Sequence, residues 1–69
     1  MARIVLNGAP RDVPDGLTVE ALLQHVGRDP AMPGVAVAVG DRVVRRTEWP
    51  ATPVAEGDRV EVITAAQGG

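Results

Sequence analysis

Apolar residues in this chain follow two periods, and the places where one gives way to the other outline the elements. Arg3-Ile4-Val5-Leu6 and Ala9-Pro10-Arg11-Asp12-Val13 read as two strands joined by Asn7-Gly8, a dipeptide that supplies the positive φ angles of a tight hairpin turn. Pro10 has no N–H to give a ladder, which assigns its strand to a sheet edge. Beyond the turn at Pro14-Asp15-Gly16 the period lengthens. Val19, Leu22, Leu23 and Val26 fall at i, i+3, i+4 and i+7, the apolar stripe of a helix. Thr18 is placed to accept a hydrogen bond from a free backbone N–H at its start, Glu20 suits the positive end of the helix dipole, and Gly27 is a natural terminator.

Period two returns after the loop Arg28–Gly34, in Val35-Ala36-Val37-Ala38-Val39. The valines are expected to face a core and the alanines the opposite side. Gly40-Asp41 turns the chain into a short strand, Arg42-Val43-Val44, and Glu48-Trp49-Pro50 ends extended structure. A further turn at Glu56-Gly57-Asp58 precedes the last strand, Arg59–Thr64. Its alternation sets Val60 and Val62 inward and leaves Arg59, Glu61 and Ile63 on the other face.

A hairpin, a helix and further short strands around that helix form the element order of an α+β domain of the β-grasp, ubiquitin-like kind. Such a domain has a mixed sheet of four to five strands and one main helix. Other small α+β folds share the pattern. The domain is expected to occupy residues 1–64, with 65–69 a flexible tail ending in Gly-Gly. The same alternation puts Val5, Ala36, Ala38 and Ile63 on the face opposite the helix, where polar residues would be the norm. Small alanines among larger aliphatics would make a shallow patch for a partner to bury.

Composition narrows the function. A chain of 69 residues has room for one modest core, and with no Cys and one His neither a disulfide nor a thiolate or poly-His metal site can reinforce it. Nothing resembles a signal peptide or a bilayer-length apolar run, so no membrane association and a cytoplasmic location are expected. A formal charge of -2 and scattered arginines argue against a nucleic-acid partner.

Catalytic chemistry finds little to work with. Cys, Lys and Tyr are absent, and His25 lies off the apolar stripe, where a solvated role is expected. The spacing of Glu20, Glu48, Glu56 and Asp58 forces no two carboxylates together. Trp49, the single aromatic residue, is expected at a core edge with its indole N–H partnered. Arg45-Arg46 could meet a phosphate or carboxylate, although adjacent basic residues at a strand end are usually solvated. Gly68-Gly69 stands apart, since a carboxylate with no neighbouring Cβ can enter a narrow slot. Gln67 and Gly68 would be the stretch that threads into it. A frayed end is the other reading of the same dipeptide.

Along essentially its whole length the chain resembles the ThiS family of sulfur carriers. The resemblance is carried by Leu6-Asn7-Gly8, Thr18-Val19 with Leu22-Leu23, Ala36-Val37-Ala38-Val39, Val43-Val44-x-Arg46-x-x-Trp49, Gly57-Asp58-Arg59-Val60-Glu61-Val62 and Gly68-Gly69. Arg45 stands where the family commonly has proline, and Gly40 where asparagine is common. The resemblance implies a carrier that is not itself an enzyme and binds no cofactor. A ThiF-type adenylating enzyme, using ATP and magnesium, would activate the Gly69 carboxylate. A sulfurtransferase or cysteine desulfurase would supply persulfide sulfur to make a thiocarboxylate, and a ThiG-type thiazole synthase would accept that sulfur for the thiazole of thiamine. Extended, residues 65–69 would span on the order of 15 Å at about 3.3 Å per residue, enough to reach a buried site. Alternatives are the small subunit of molybdopterin synthase, a ubiquitin-like modifier that forms isopeptides with lysine, and an inert domain.

Overall fold

The computed structural model describes residues 1–64. In chain order these form β1 (Ala2–Leu6), β2 (Ala9–Val13), α1 (Val19–His25), β3 (Val35–Val39), β4 (Arg42–Val44), a 3-10 helix over Arg46–Ala51 and β5 (Arg59–Thr64). The sheet order is β2-β1-β5-β3-β4. Two antiparallel hairpins therefore flank β5, which runs parallel to β1 and antiparallel to β3. This is the mixed five-stranded β-grasp sheet with one main helix that the element order predicts.

Local chemistry sets the corners. Asn7 at φ 50° and Gly8 at φ 83° form the hairpin turn, and Pro10 sits on the edge strand opposite Val5. The Thr18 hydroxyl accepts the Ala21 N–H at 3.2 Å and starts α1. At the other end Gly27, at φ 81°, lets its own N–H reach the Gln24 carbonyl at 3.1 Å and the Arg28 N–H reach the Leu23 carbonyl at 2.8 Å. Those two bonds make a Schellman termination, which fixes where Arg28 leaves the helix.

One face of the sheet is covered. Val19, Leu22 and Leu23 of α1 pack with Ile4, Val37 and Val60, while Trp49 and Val54 join the same cluster. Val35, Val39, Leu6 and Val26 are partly buried around it. Each fully buried aliphatic side chain contributes about 1.5–3 kcal/mol, so aliphatic packing is the main source of stability in a fold without cross-links. Residues 52–54 close the cluster by bonding back to the start of the helix, through the Val19 N–H to the Thr52 carbonyl and the Val54 N–H to the Leu17 carbonyl, each at 2.8 Å.

Extended structure stops before Glu48-Trp49-Pro50, as expected, and the segment becomes a 3-10 helix rather than a loop. Burial of the indole is the cause. Trp49 is 2% exposed, and its Nε1–H donates to the Val44 carbonyl at 2.9 Å, drawing the chain into a tight turn just after β4. No helix among the described residues is long and apolar enough to cross a membrane.

Candidate functional site

The strand that leads to the terminal glycines is the central one. β3 pairs with β5 along its length, from Val39 opposite Val60 to Val35 opposite Thr64, whereas β1 accompanies it only as far as Leu6 opposite Val60. Glu61 to Thr64 therefore overhang β1. A side chain fills the gap: Asn7 Oδ1 accepts the Val62 N–H at 2.8 Å, and Asn7 Nδ2 donates to the Val62 carbonyl at 3.3 Å. The carboxamide thus stands in for the backbone carbonyl and N–H that a longer β1 would have offered Val62. Two residues on, Thr64 Oγ1 accepts a hydrogen bond from Arg28 Nη1 at 2.8 Å. Gln67, Gly68 and Gly69, the predicted threading and reacting residues, lie outside the described residues.

The face of the sheet away from α1 carries Val5, Ala36, Ala38 and Ile63, as the alternation predicts. Ala36 stands opposite Ile63, and Ala38 lies between Val43 and Glu61 on the neighbouring strands. Ile63 is 59% exposed and Val43 is 75% exposed, so Ala36, Ala38, Ile63 and Val43 form one apolar cluster across β4, β3 and β5. Val43 was not among the predicted patch residues, yet the alternation of Arg42-Val43-Val44 contains the signal, because burying Val44 turns Val43 outward. Val5 is not brought into the cluster. It pairs with Arg59 on the far side of β5, and the outward Arg59 and Glu61 stand between it and the alanines.

Beyond Val5 the open face becomes charged. Arg3 Nε lies 2.9 Å from Asp12 Oδ1 on the paired strand. This hydrogen bond, reinforced by the Coulombic attraction, holds the Asp12 carboxyl below its ordinary pKa and raises that of Arg3. The open face is thus divided into an apolar half on β3, β4 and the end of β5, and a polar half on β1 and β2.

Other sequence candidates have structural roles or stay in solvent. Arg46 donates through Nη1 to the Pro30 carbonyl and through Nη2 to the Met32 carbonyl at 2.6 Å, and its guanidinium lies 4.5 Å from the Trp49 ring centroid. It ties the loop after α1 to the 3-10 helix, which accounts for the spacing of arginine and tryptophan. Arg45 and His25 are exposed. Among the described residues no group of three His, Cys, Asp or Glu side chains is arranged to hold a metal ion.

Comparison with known proteins agrees with this geometry. The model of the ThiS family matches residues 4–69. The sulfur carrier protein ThiS of Thermus thermophilus is 38% identical over 64 residues, covering 93% of this chain and 95% of that protein. A crystal structure of the thiamine biosynthesis protein ThiS from Geobacter metallireducens superposes with a TM-score of 0.82 at 32% identity, over 97% of this chain and 99% of the other. A solution structure of a thiamine biosynthesis protein from the same organism gives a TM-score of 0.80 at 32% identity, over 97% and 87% of the two chains.

Proposed function

The chain belongs to the ThiS family, and on that premise we propose that Gly69 is the residue on which it carries sulfur. Its role is that of a sulfur carrier in thiamine biosynthesis, a carrier rather than a catalyst. The observation that best supports the assignment of Gly69 is the position of β5. The strand ends at Thr64, beside the apolar cluster of the open face, with five residues of sequence from there to Gly69. A partner that buries the cluster is thereby within reach of the glycines.

The chemistry follows from the poor electrophilicity of a carboxylate. In the proposed sequence the Gly69 carboxylate attacks the α-phosphorus of ATP on a ThiF-type adenylating enzyme, with magnesium bound there, and pyrophosphate leaves. A persulfide sulfur, supplied through a sulfurtransferase or cysteine desulfurase, attacks the acyl carbon and displaces AMP. A thiol then cleaves the acyl disulfide, leaving the thiocarboxylate. A ThiG-type thiazole synthase takes up that sulfur. Gln67 and Gly68 supply the narrow approach, and Ile63, Ala36 and Ala38, extended by Val43 and flanked by Val5, supply the docking face. The setting proposed is the cytoplasm.

Incubation with the adenylating partner, ATP, magnesium and a persulfide donor is expected to add the mass of one oxygen-to-sulfur exchange, localised to Gly69 by fragmentation. Deleting Gly69 should abolish the product while leaving the melting temperature unchanged. Intact-mass spectra without the exchange would sink the proposal. Recovery of the protein only as isopeptides on lysine would replace it with a protein-modifier role.

A further inference from the structure

We infer that Asn7 and Arg28 are positioning residues for the reaction at Gly69: together they clamp the overhanging end of β5 and fix the direction in which the chain leaves the sheet. This deepens the sulfur-carrier reading and rests on it. From Glu61 onward β5 has a ladder on one side only, that of β3. A strand end held on one side opens readily. On the other side the Asn7 N–H bonds the Val60 carbonyl at 2.9 Å, and the Asn7 side chain then engages both backbone groups of Val62. The left-handed φ of Asn7 turns the main chain away into the hairpin while the carboxamide carries the pairing on. Glycine would serve that turn equally well but has no side-chain carboxamide. Aspartate would accept from the Val62 N–H and repel the Val62 carbonyl.

Arg28 grips the next inward position. The Schellman termination of α1 places it, and its guanidinium reaches Thr64, the last described residue before the glycine-bearing segment. Thr64 is in phase with Val60 and Val62, so this contact ties the end of β5 to the end of α1. Asn7, Arg28 and Thr64 are all exposed, and none of their side chains belongs to the core cluster. Delivery of a distant carboxylate depends on them more strongly. A root free to swivel spreads the end of the chain over a larger volume and lowers its effective concentration at a docked partner's site. The expected signature is a loss of turnover after docking, with docking itself intact.

The test uses the full chain as Asn7→Gly, Arg28→Ala, the double variant and Arg28→Lys. Affinity for the adenylating partner is measured by calorimetry, ATP–pyrophosphate exchange at saturating carrier, and amide exchange at Val62. We expect affinity within about twofold of wild type, exchange turnover reduced about tenfold in the double variant, and most of the Arg28→Ala loss restored by Arg28→Lys. The Val62 amide should exchange faster in Asn7→Gly. Wild-type turnover in the double variant overturns the inference, as does a parallel fall of affinity, turnover and melting temperature, which would mark a purely structural contact. Wild-type protein that supports no ATP–pyrophosphate exchange instead overturns the carrier reading, whatever the variants do.

Discussion

Val60 and Ile63 lie three residues apart on β5, one on each face of the sheet, in opposite surroundings. Val60 is fully buried beneath α1, while Ile63 is 59% exposed on a face that nothing in the described chain covers. Both are β-branched aliphatics suited to a strand. The contrast shows that residue type fixes which positions can form the sheet, whereas the layer above decides whether an aliphatic side chain serves stability or association.

Introducing the same charge on both faces tests that division. Val60→Asp should be the most damaging substitution, because a carboxylate would be stripped of water with no partner; a cost of about 4 kcal/mol or more is expected. Circular dichroism should show no cooperative thermal transition near that of wild type. A folded Val60→Asp protein would mean that the covered face is less tightly sealed than its burial indicates. Ile63→Asp should cost about 1 kcal/mol through strand propensity and keep a cooperative melt. It should nevertheless weaken binding to the adenylating partner at least about tenfold, since the carboxylate must be desolvated on docking. Unchanged binding in a calorimetric titration removes the apolar cluster from the interface.

The smallest effect is expected on the polar half of the open face. Because the Asp12 carboxyl titrates below its ordinary range in the folded protein, its pairing with Arg3 contributes fully above the unfolded carboxylate pKa. That contribution is lost as pH falls through the depressed folded value. Asp12→Asn should flatten this part of the acid limb in melting experiments and leave neutral-pH stability almost unaltered, as befits an exposed pair. An acid limb identical to wild type would show that the pair contributes nothing.

The sequence carried the elements and their facing because alternation and capping are local. Val35-Ala36-Val37-Ala38-Val39 announces both its inward and outward sides, and Thr18 and Gly27 mark the helix ends by residue type. The contacts that hold the site together are of another kind. Asn7 reads as a turn residue, and only the arrival of β5 beside it makes its carboxamide a strand substitute. Arg28 finds Thr64, and Arg46 finds the carbonyls of Pro30 and Met32, across long stretches of chain that no local pattern connects. The 3-10 helix was hidden for a similar reason, since its geometry follows from the burial of Trp49 under a complete fold. Val43 belongs to the legible part, because the alternation of Arg42-Val43-Val44 alone turns it outward.

Placing β5 between two hairpins also shapes how the molecule assembles. Each hairpin joins neighbouring stretches of sequence and closes rapidly, whereas seating β5 brings Arg59 to Val5 from the opposite end of the domain, the slow kind of contact in folding. Until that step is complete Ile63 does not stand beside Ala36, and the apolar cluster is unfinished. In the proposed docking, a partner that buries the cluster would in effect read whether folding has finished.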